Sequence, residues 1–375
     1  MSKLISSLLL IPLLVIVMVI QIQIQLTSSQ PTTSSNNVLG FRCSSSSSTT
    51  GSRSSCTSLI DYKLPNTTTL SSLLNLFQIK NLRTLLSANN LPLSTSHNQS
   101  YPSSSILKIP FPCSCSITNT TGISDRRPFY TVVPGDGLFH IAADVFSNLV
   151  TFQQIQQVNN ISDPNLILVG QKLWIPLPCS CDDVDGEDVV HYGHLVAAGS
   201  TLTGIAQQFN TTETTLLDLN GITNSADLKA DSILDVPLKV CTSSVRNNSL
   251  DYPLLVPNGT YTFTANNCVR CQCNAANNWI LECEPSGMSL PNMQTCPSMQ
   301  CVGTSFDLGN TTSDSTCSRS RCEYSGYTNA TIFTTLTQES TCTDGNSPSG
   351  NGSSGLRWKF LVGAFVIALH LVTWL

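Results

Sequence analysis

Residues 129–181 read FYTVVPGDGLFHIAADVFSNLVTFQQIQQVNNISDPNLILVGQKLWIPLPCSC, and this stretch decides the fold. Leu138, Ile141, Ala142 and Val145 recur at i, i+3, i+4 and i+7, which places one apolar stripe along a helix. Asp136, two residues before the stripe, is a helix N-cap type. A second short helix carries Phe152 and Ile155 and stops at Asn159-Asn160, because asparagine tolerates the left-handed conformation that ends a helix. Phe129 to Val133 read as an opening strand and Leu173 to Ile175 as the closing strand that pairs with it. The unit is β-α-α-β, with one loop before the first helix and another after the second.

The same grammar occurs twice more. Units begin near Tyr62, Tyr130 and Tyr192, spaced by 68 and 62 residues, and end in Ile109-Pro110, Ile175-Pro176 and Val236-Pro237. A period of this kind means repeated modules. The first helices carry Leu70, Leu73, Leu74 and Phe77, then Leu202, Ile205, Ala206 and Phe209, behind the cap types Thr68 and Ser200. The second helices carry Leu82, Leu85 and Leu86, then Leu216, Leu217 and Leu219, and stop at Asn89-Asn90 and Asn220-Gly221. Ile106 to Ile109 and Ile233 to Val236 close those units. All these apolar residues are read as core. One such unit is too small to bury a substantial core alone, which explains the cysteines at the joints, Cys113/Cys115, Cys179/Cys181 and Cys241. The fold class is α+β: three tandem β-α-α-β modules stapled by disulfides, then a small Cys-rich domain.

Composition places the chain outside the cell. Of 375 residues 11% are charged, against roughly 25% in ordinary soluble domains. The net charge of −5 argues against a nucleic-acid partner, which needs a basic face. Sixteen cysteines imply an oxidising compartment. Lys3 followed by the apolar run Leu4 to Ile20, with small residues at Thr27 to Ser29, forms a signal peptide over residues 1–28. At the other end, small residues near Asn346, Ser347, Gly350 and Asn351, a spacer, and the apolar tail Phe360 to Leu375 read as a GPI-anchor signal over 346–375. A transmembrane helix is the competing reading at each end. Glycosylation sequons stand at Asn66, Asn98, Asn119, Asn160, Asn210, Asn247, Asn258, Asn310 and Asn329, with a tenth at Asn351 inside the anchor signal.

Catalytic constellations are missing. There is no HExxH, no GxSxG and no phosphate-cradling glycine loop. A glycosidase needs two placed carboxylates in a deep cleft, and the acids here sit in caps and linkers such as Asp182 to Asp188. His191 and His194 near Asp188 suggest a metal only weakly; they read as surface polar residues before a strand. Nine cysteines lie between Cys268 and Cys342, and Cys268, Cys271 and Cys273 read as disulfide partners rather than zinc ligands. No enzyme activity, cofactor or metal is expected.

At the residues Tyr130 to Gly137, the Ile-Pro and Cys-x-Cys endings, and Asn258 to Cys273, the repeats resemble LysM domains. The whole chain resembles the plant LysM GPI-anchored receptor-like proteins, with Leu173 to Cys181 closest to the chitin elicitor-binding subgroup. The expected divisions are residues 41–115, 129–181 and 192–241 for the three LysM modules and 242–345 for the Cys-rich region. By cysteine order, the resemblance implies the pairs Cys43–Cys115, Cys56–Cys181 and Cys113–Cys179. It also implies a GlcNAc oligosaccharide lying in a shallow groove between the two loops of a repeat. In the second repeat those loops are Pro134, Gly135, Asp136, Gly137 and Leu138, and Ile161, Ser162, Asp163, Pro164, Asn165, Leu166 and Ile167. Backbone groups can bond the acetamido group while an apolar floor takes its methyl, and no charge is needed. The plainer reading is that these are turn residues. The repeats rank second, third, first as binding sites.

The resemblance implies a plasma-membrane protein on the extracellular face, bound to chitin oligosaccharides and signalling through a LysM receptor kinase. One groove would bind at about micromolar strength, near −8 kcal/mol. A long polymer bridging two copies into a homodimer would add avidity. A peptidoglycan receptor, a wall-modifying enzyme accessory and a wall adhesion protein are the rival readings. Asn160-Ile161-Ser162 puts a sequon at the edge of the groove.

Overall fold

A computed structural model of the chain describes residues 39–43, 53–115, 120–288, 295–315 and 318–340. The signal peptide, the anchor signal, Asn119, Asn351, Cys317 and Cys342 lie outside the described residues. The first repeat pairs β1 (Ser55–Lys63) antiparallel with β2 (Ile106–Cys115), Ile60 opposite Ile109, around α1 (Leu70–Leu76) and α2 (Leu82–Ala88). After β3 (Thr121–Ser124), the second repeat runs β4 (Phe129–Thr131), α3 (Leu138–His140), α4 (Phe152–Val158) and β5 (Lys172–Trp174), with Tyr130 opposite Leu173. The third runs β6 (Val189–Leu195), α5 (Leu202–Phe209), α6 (Glu213–Asn220) and β7 (Ile233–Lys239), with Tyr192 opposite Val236.

Three local expectations need correction. The N-caps are Thr69 and Thr201, one residue later than Thr68 and Ser200, with side chains accepting from the N–H of Ser72 at 3.2 Å and of Gly204 at 3.0 Å. Each helix begins on its first apolar residue, so the hydroxyl that reaches the third helical N–H must stand directly before it. In the second repeat that position is Gly137, which supplies no side chain, and Asp136 is not a cap. The stripe also slips there: α3 runs on into a π turn over Ile141–Val145, closed by the Phe146 N–H on the Ile141 carbonyl at 3.0 Å. The extra residue rotates Phe146 fully into the core and leaves Val145 half-buried. The opening strand is shorter than expected, ending at Thr131.

The helix stops have a further cause. Asn90, Asn160 and Gly221 take positive φ of 51°, 52° and 60°. The residue before each, Asn89, Asn159 and Asn220, is a bracket between helix and closing strand. The Asn159 amide donates to the carbonyls of Ile155 and Trp174, both at 2.8 Å, while its oxygen accepts the Trp174 N–H at 2.9 Å. Asn89 does the same with Leu85 and Lys108, and Asn220 with Leu216 and Asp235. Buried backbone polar groups at each helix end are thereby satisfied three times by one residue type.

The repeats are joined differently. The first and second share one core, in which Tyr62, Phe77, Phe146 and Tyr130 form edge contacts at 4.9, 5.9 and 6.0 Å in turn. The first and third share a sheet: β6 adds to β1 in parallel, Gly193 beside Ile60, within the order Phe41–Arg42, β3, β2, β1, β6, β7. A Cβ on Gly193 would meet the Ile60 side chain at 2.9 Å, so glycine permits the seam. Three disulfides gather where the first two repeats meet: Cys43–Cys115, Cys56–Cys181 and Cys113–Cys179, the pairing the resemblance implies. Their sulfurs lie close enough to suggest a metal cluster, but each is bonded to another sulfur.

His191 and His194 are not surface residues before a strand. They lie within β6, because the third repeat's opening strand starts at Val189. His191 is buried, with Nδ1 at 2.9 Å from Asp235 and Nε2 at 2.9 Å from the Asp182 carbonyl. His194 Nδ1 lies 3.0 Å from Asp61 of β1, which also accepts from the Tyr192 hydroxyl and, at 3.1 Å, from the Leu195 N–H.

Beyond the repeats, β8 (Thr260–Thr264), β9 (Val269–Cys273) and β10 (Leu281–Pro285) form one antiparallel sheet. A second comprises β11 (Thr311–Ser315), β12 (Ser318–Tyr327) and β13 (Ile332–Ser340). Cys241 belongs with this region, bonded to Cys273, beside Cys268–Cys296, Cys271–Cys283 and Cys301–Cys322. The Tyr261 hydroxyl donates to the Leu91 carbonyl at 2.7 Å, fastening it to the first repeat. No helix among the described residues is long and apolar enough to cross a membrane.

Candidate functional site

In the second repeat the chain leaves β4 at Val132, whose N–H and C=O bond the Gln171 carbonyl and the Gly170 N–H at 2.9 and 2.8 Å. This double bond fixes the base of both loops. Gly135 takes φ +94°, which glycine alone adopts without strain, and turns the first loop back toward α3. Asp136 points inward: its side chain is 1% exposed and accepts from the Val133 N–H at 2.8 Å and the Tyr130 hydroxyl at 3.0 Å, with His140 Nδ1 at 2.9 Å. Burial pushes its pKa up, but those bonds and the neighbouring histidine outweigh it and hold the carboxyl below its ordinary value. Burial, together with the bond to Asp136, pushes Tyr130 up to about 12. Asp136 therefore shapes the loop from within.

The second loop is also internally braced. The Asp163 carboxylate accepts from the Asn165 N–H at 2.9 Å and its amide at 3.0 Å, and the Leu166 N–H bonds the Asp163 carbonyl at 3.0 Å. The Gln171 side chain accepts the Leu168 N–H at 3.0 Å. Ile161 and Ile167 are half-buried and pack on the core, and Pro164 is half-buried, while Ser162 and Asn165 face water. Leu166, Leu168, Val169 and Phe139 are 70%, 72%, 65% and 69% exposed, and Val133 nearly half. No other repeat presents such a group of large apolar side chains. The N–H groups of Gly135, Gly137, Ile167 and Val169 have no partner among the described residues. Apolar surface beside free backbone donors can receive a neutral, amide-bearing ligand.

Sequence reasoning included Leu166 and Ile167 but missed Val133, Phe139, Leu168 and Val169. Two signals could have found three of them, Phe139, Leu168 and Val169. Leu166 to Val169 is an unbroken apolar run inside a loop, and Phe139 lies off the buried stripe of α3.

The other repeats differ in the same place. In the first, the two loops are zipped to each other: Thr68 and Thr69 pair with Tyr101 and Ser100, and the N–H groups of Leu70 and Ser71 bond the carbonyls of Gln99 and His97 at 3.0 and 2.9 Å. In the third, the first loop is Ala198-Gly199-Ser200 and the second runs from Ile222 to Leu228, where Ile222 and Leu228 turn to the core and the residues between are exposed and polar or small. A cleft of about 590 Å³ lies elsewhere, between β1, β2, α2 and Tyr252 to Thr262. The Arg53 cation on its wall is already tied to Asp188 at 2.7 Å.

Residues 130–176 and 194–237 match the LysM domain family. The chain is 49% identical over 317 residues to LysM domain-containing GPI-anchored protein 2 of Arabidopsis thaliana, covering 84% of this chain and 86% of that one. It is 40% identical over 336 residues to the chitin elicitor-binding protein of Oryza sativa subsp. japonica, covering 88% and 90%. A chitin elicitor receptor kinase 1 of Physcomitrium patens is 28% identical over 197 residues, half of this chain and 28% of the kinase.

Proposed function

This chain belongs to the plant family of LysM domain-containing GPI-anchored proteins, and from that premise we propose that it is a receptor-like protein for chitin oligosaccharides. It is held on the outer face of the plasma membrane by its lipid. The ligand lies across the loops of the second repeat, with acetamido methyls on Leu166, Leu168 and Val133 and amide groups on the free backbone donors. The observation that carries this reading is the contrast among repeats: one groove is open and apolar, one is zipped, one is polar. A lipid-held extracellular protein reaches the cytosol only through a spanning partner, and a LysM receptor kinase is the partner we assign. Long oligomers bridge two copies and raise avidity.

Calorimetry of the secreted ectodomain, residues 30–345, against chitin octamer and soluble peptidoglycan fragments tests the reading. Octamer binding at about micromolar strength supports it. Binding of peptidoglycan fragments alone overturns the ligand assignment and keeps the site. A dimerisation assay that responds equally to short and long oligomers would overturn the bridging step.

A further inference from the structure

We propose that Asn160 carries an N-linked glycan that overhangs the second repeat's groove and restricts how a long oligosaccharide can run past the end of α4. The proposal rests on the groove reading above. It begins with two adjacent asparagines that do opposite things. Asn159 spends its whole amide on three backbone bonds. Asn160, next in the chain, is exposed, held at φ 52°, and its side chain has no partner among the described residues. Attachment needs a free, outward amide, and only the second asparagine offers one inside the sequon Asn160-Ile161-Ser162.

The attachment point is rigid and adjoins the ligand loop. Ile161 is the first residue of that loop, and it is bonded twice to Gln156 of α4: its N–H to the Gln156 carbonyl and its carbonyl to the Gln156 amide, both at 3.0 Å. A glycan is bulky, and the seven residues Ile161 to Ile167 span at most about 25 Å. A glycan anchored there therefore stands within reach of the whole loop. The other sequons within the repeats differ. Asn66 and Asn98 flank the groove that is zipped shut, and Asn210 ends α5, away from the loops of its repeat.

Asn160→Gly is the decisive variant, because glycine removes the attachment point and keeps the positive φ. The secreted wild-type ectodomain is first digested, and the peptide bearing Asn160 is weighed. It should carry glycan mass. The variant should then favour chitin octamer over tetramer about fivefold more than wild type, because the longer ligand is the one that must pass α4. Ser162→Ala, which abolishes the sequon and keeps Asn160, should shift the ratio the same way. An unmodified Asn160 peptide, or an unchanged ratio in both variants, overturns the proposal. Leu168→Asp separates the failures: octamer binding that survives it overturns the groove reading and this proposal together, whereas binding lost there but indifferent to Asn160→Gly overturns this proposal alone.

Discussion

The second and third repeats are built on one plan and finished differently. Both run β-α-α-β, both bracket the closing strand with an asparagine, and both bury a single residue of the second helix completely, Ile155 and Leu216. The third repeat then commits its opening strand to the first repeat's sheet, crosses that seam with the polar pair His194 and Asp61, and ties its own two strands with His191 and Asp235. The second keeps a private two-stranded sheet, packs on the first through aromatic edges, and turns its spare apolar residues outward on its loops. The shared residues hold the module together; the loop residues, free of that task, are where the repeats diverge in what they can bind.

The comparison can be broken at several points. The largest effect is expected in the cores. Ile155→Ala and Leu216→Ala should each cost about 2–5 kcal/mol in urea unfolding of the ectodomain, and a negligible cost at either would show the two cores are not equivalent. The brackets come next. Asn159→Ala and Asn220→Ala should each cost about 2–3 kcal/mol by stranding backbone groups of the closing strand. Only Asn159→Ala should also weaken octamer binding, since β5 ends the ligand loop.

On binding, Leu166→Asp should lose at least about tenfold in affinity, near 1.4 kcal/mol. Thr223→Asp, at the exposed matching loop of the third repeat, should leave it unchanged; equal losses would make the grooves equivalent. The smallest effect is the most selective. Burial alone would lower the His191 pKa, but the Asp235 charge and the bonds to Asp235 and the Asp182 carbonyl raise it above the ordinary 6.5. With a raised folded value, the pair stabilises fully below 6.5 and its contribution is lost as pH rises through that higher value. Asp136 runs the other way: its folded value lies below 3.8, so its contribution is present above that and lost as pH falls through the folded value. Hydrogen exchange followed upward from about pH 6 should therefore show the third repeat loosening as pH passes the raised His191 value, with His191→Gln abolishing the change.

Much of this was legible in the sequence. The helical stripes, the Asn-Asn and Asn-Gly stops and the Ile-Pro endings sufficed for three β-α-α-β units, because periodicity and left-handed caps are local physics. The cap register was off by one, since a cap is set by where the first helical bond closes and not by residue type alone. Asp136 reads as a cap because no linear pattern says which way a carboxylate turns. His191 read as surface because its partner Asp235 lies 44 residues away.

The sequence alone determined that this protein is modular, rich in cysteine for disulfides and poor in charge, for those properties follow from period, cysteine count and composition. Only the tertiary structure decided which module has an open groove. Thr68 and Thr69 meeting Ser100 and Tyr101 closes one, and Ile222 and Leu228 turning inward flattens another. Leu166, Leu168 and Val169 stay in water because Ile161 and Ile167 already pack on the core beneath them. Such outcomes depend on which distant surfaces compete for the same apolar side chains, and that competition is settled only when the modules pack.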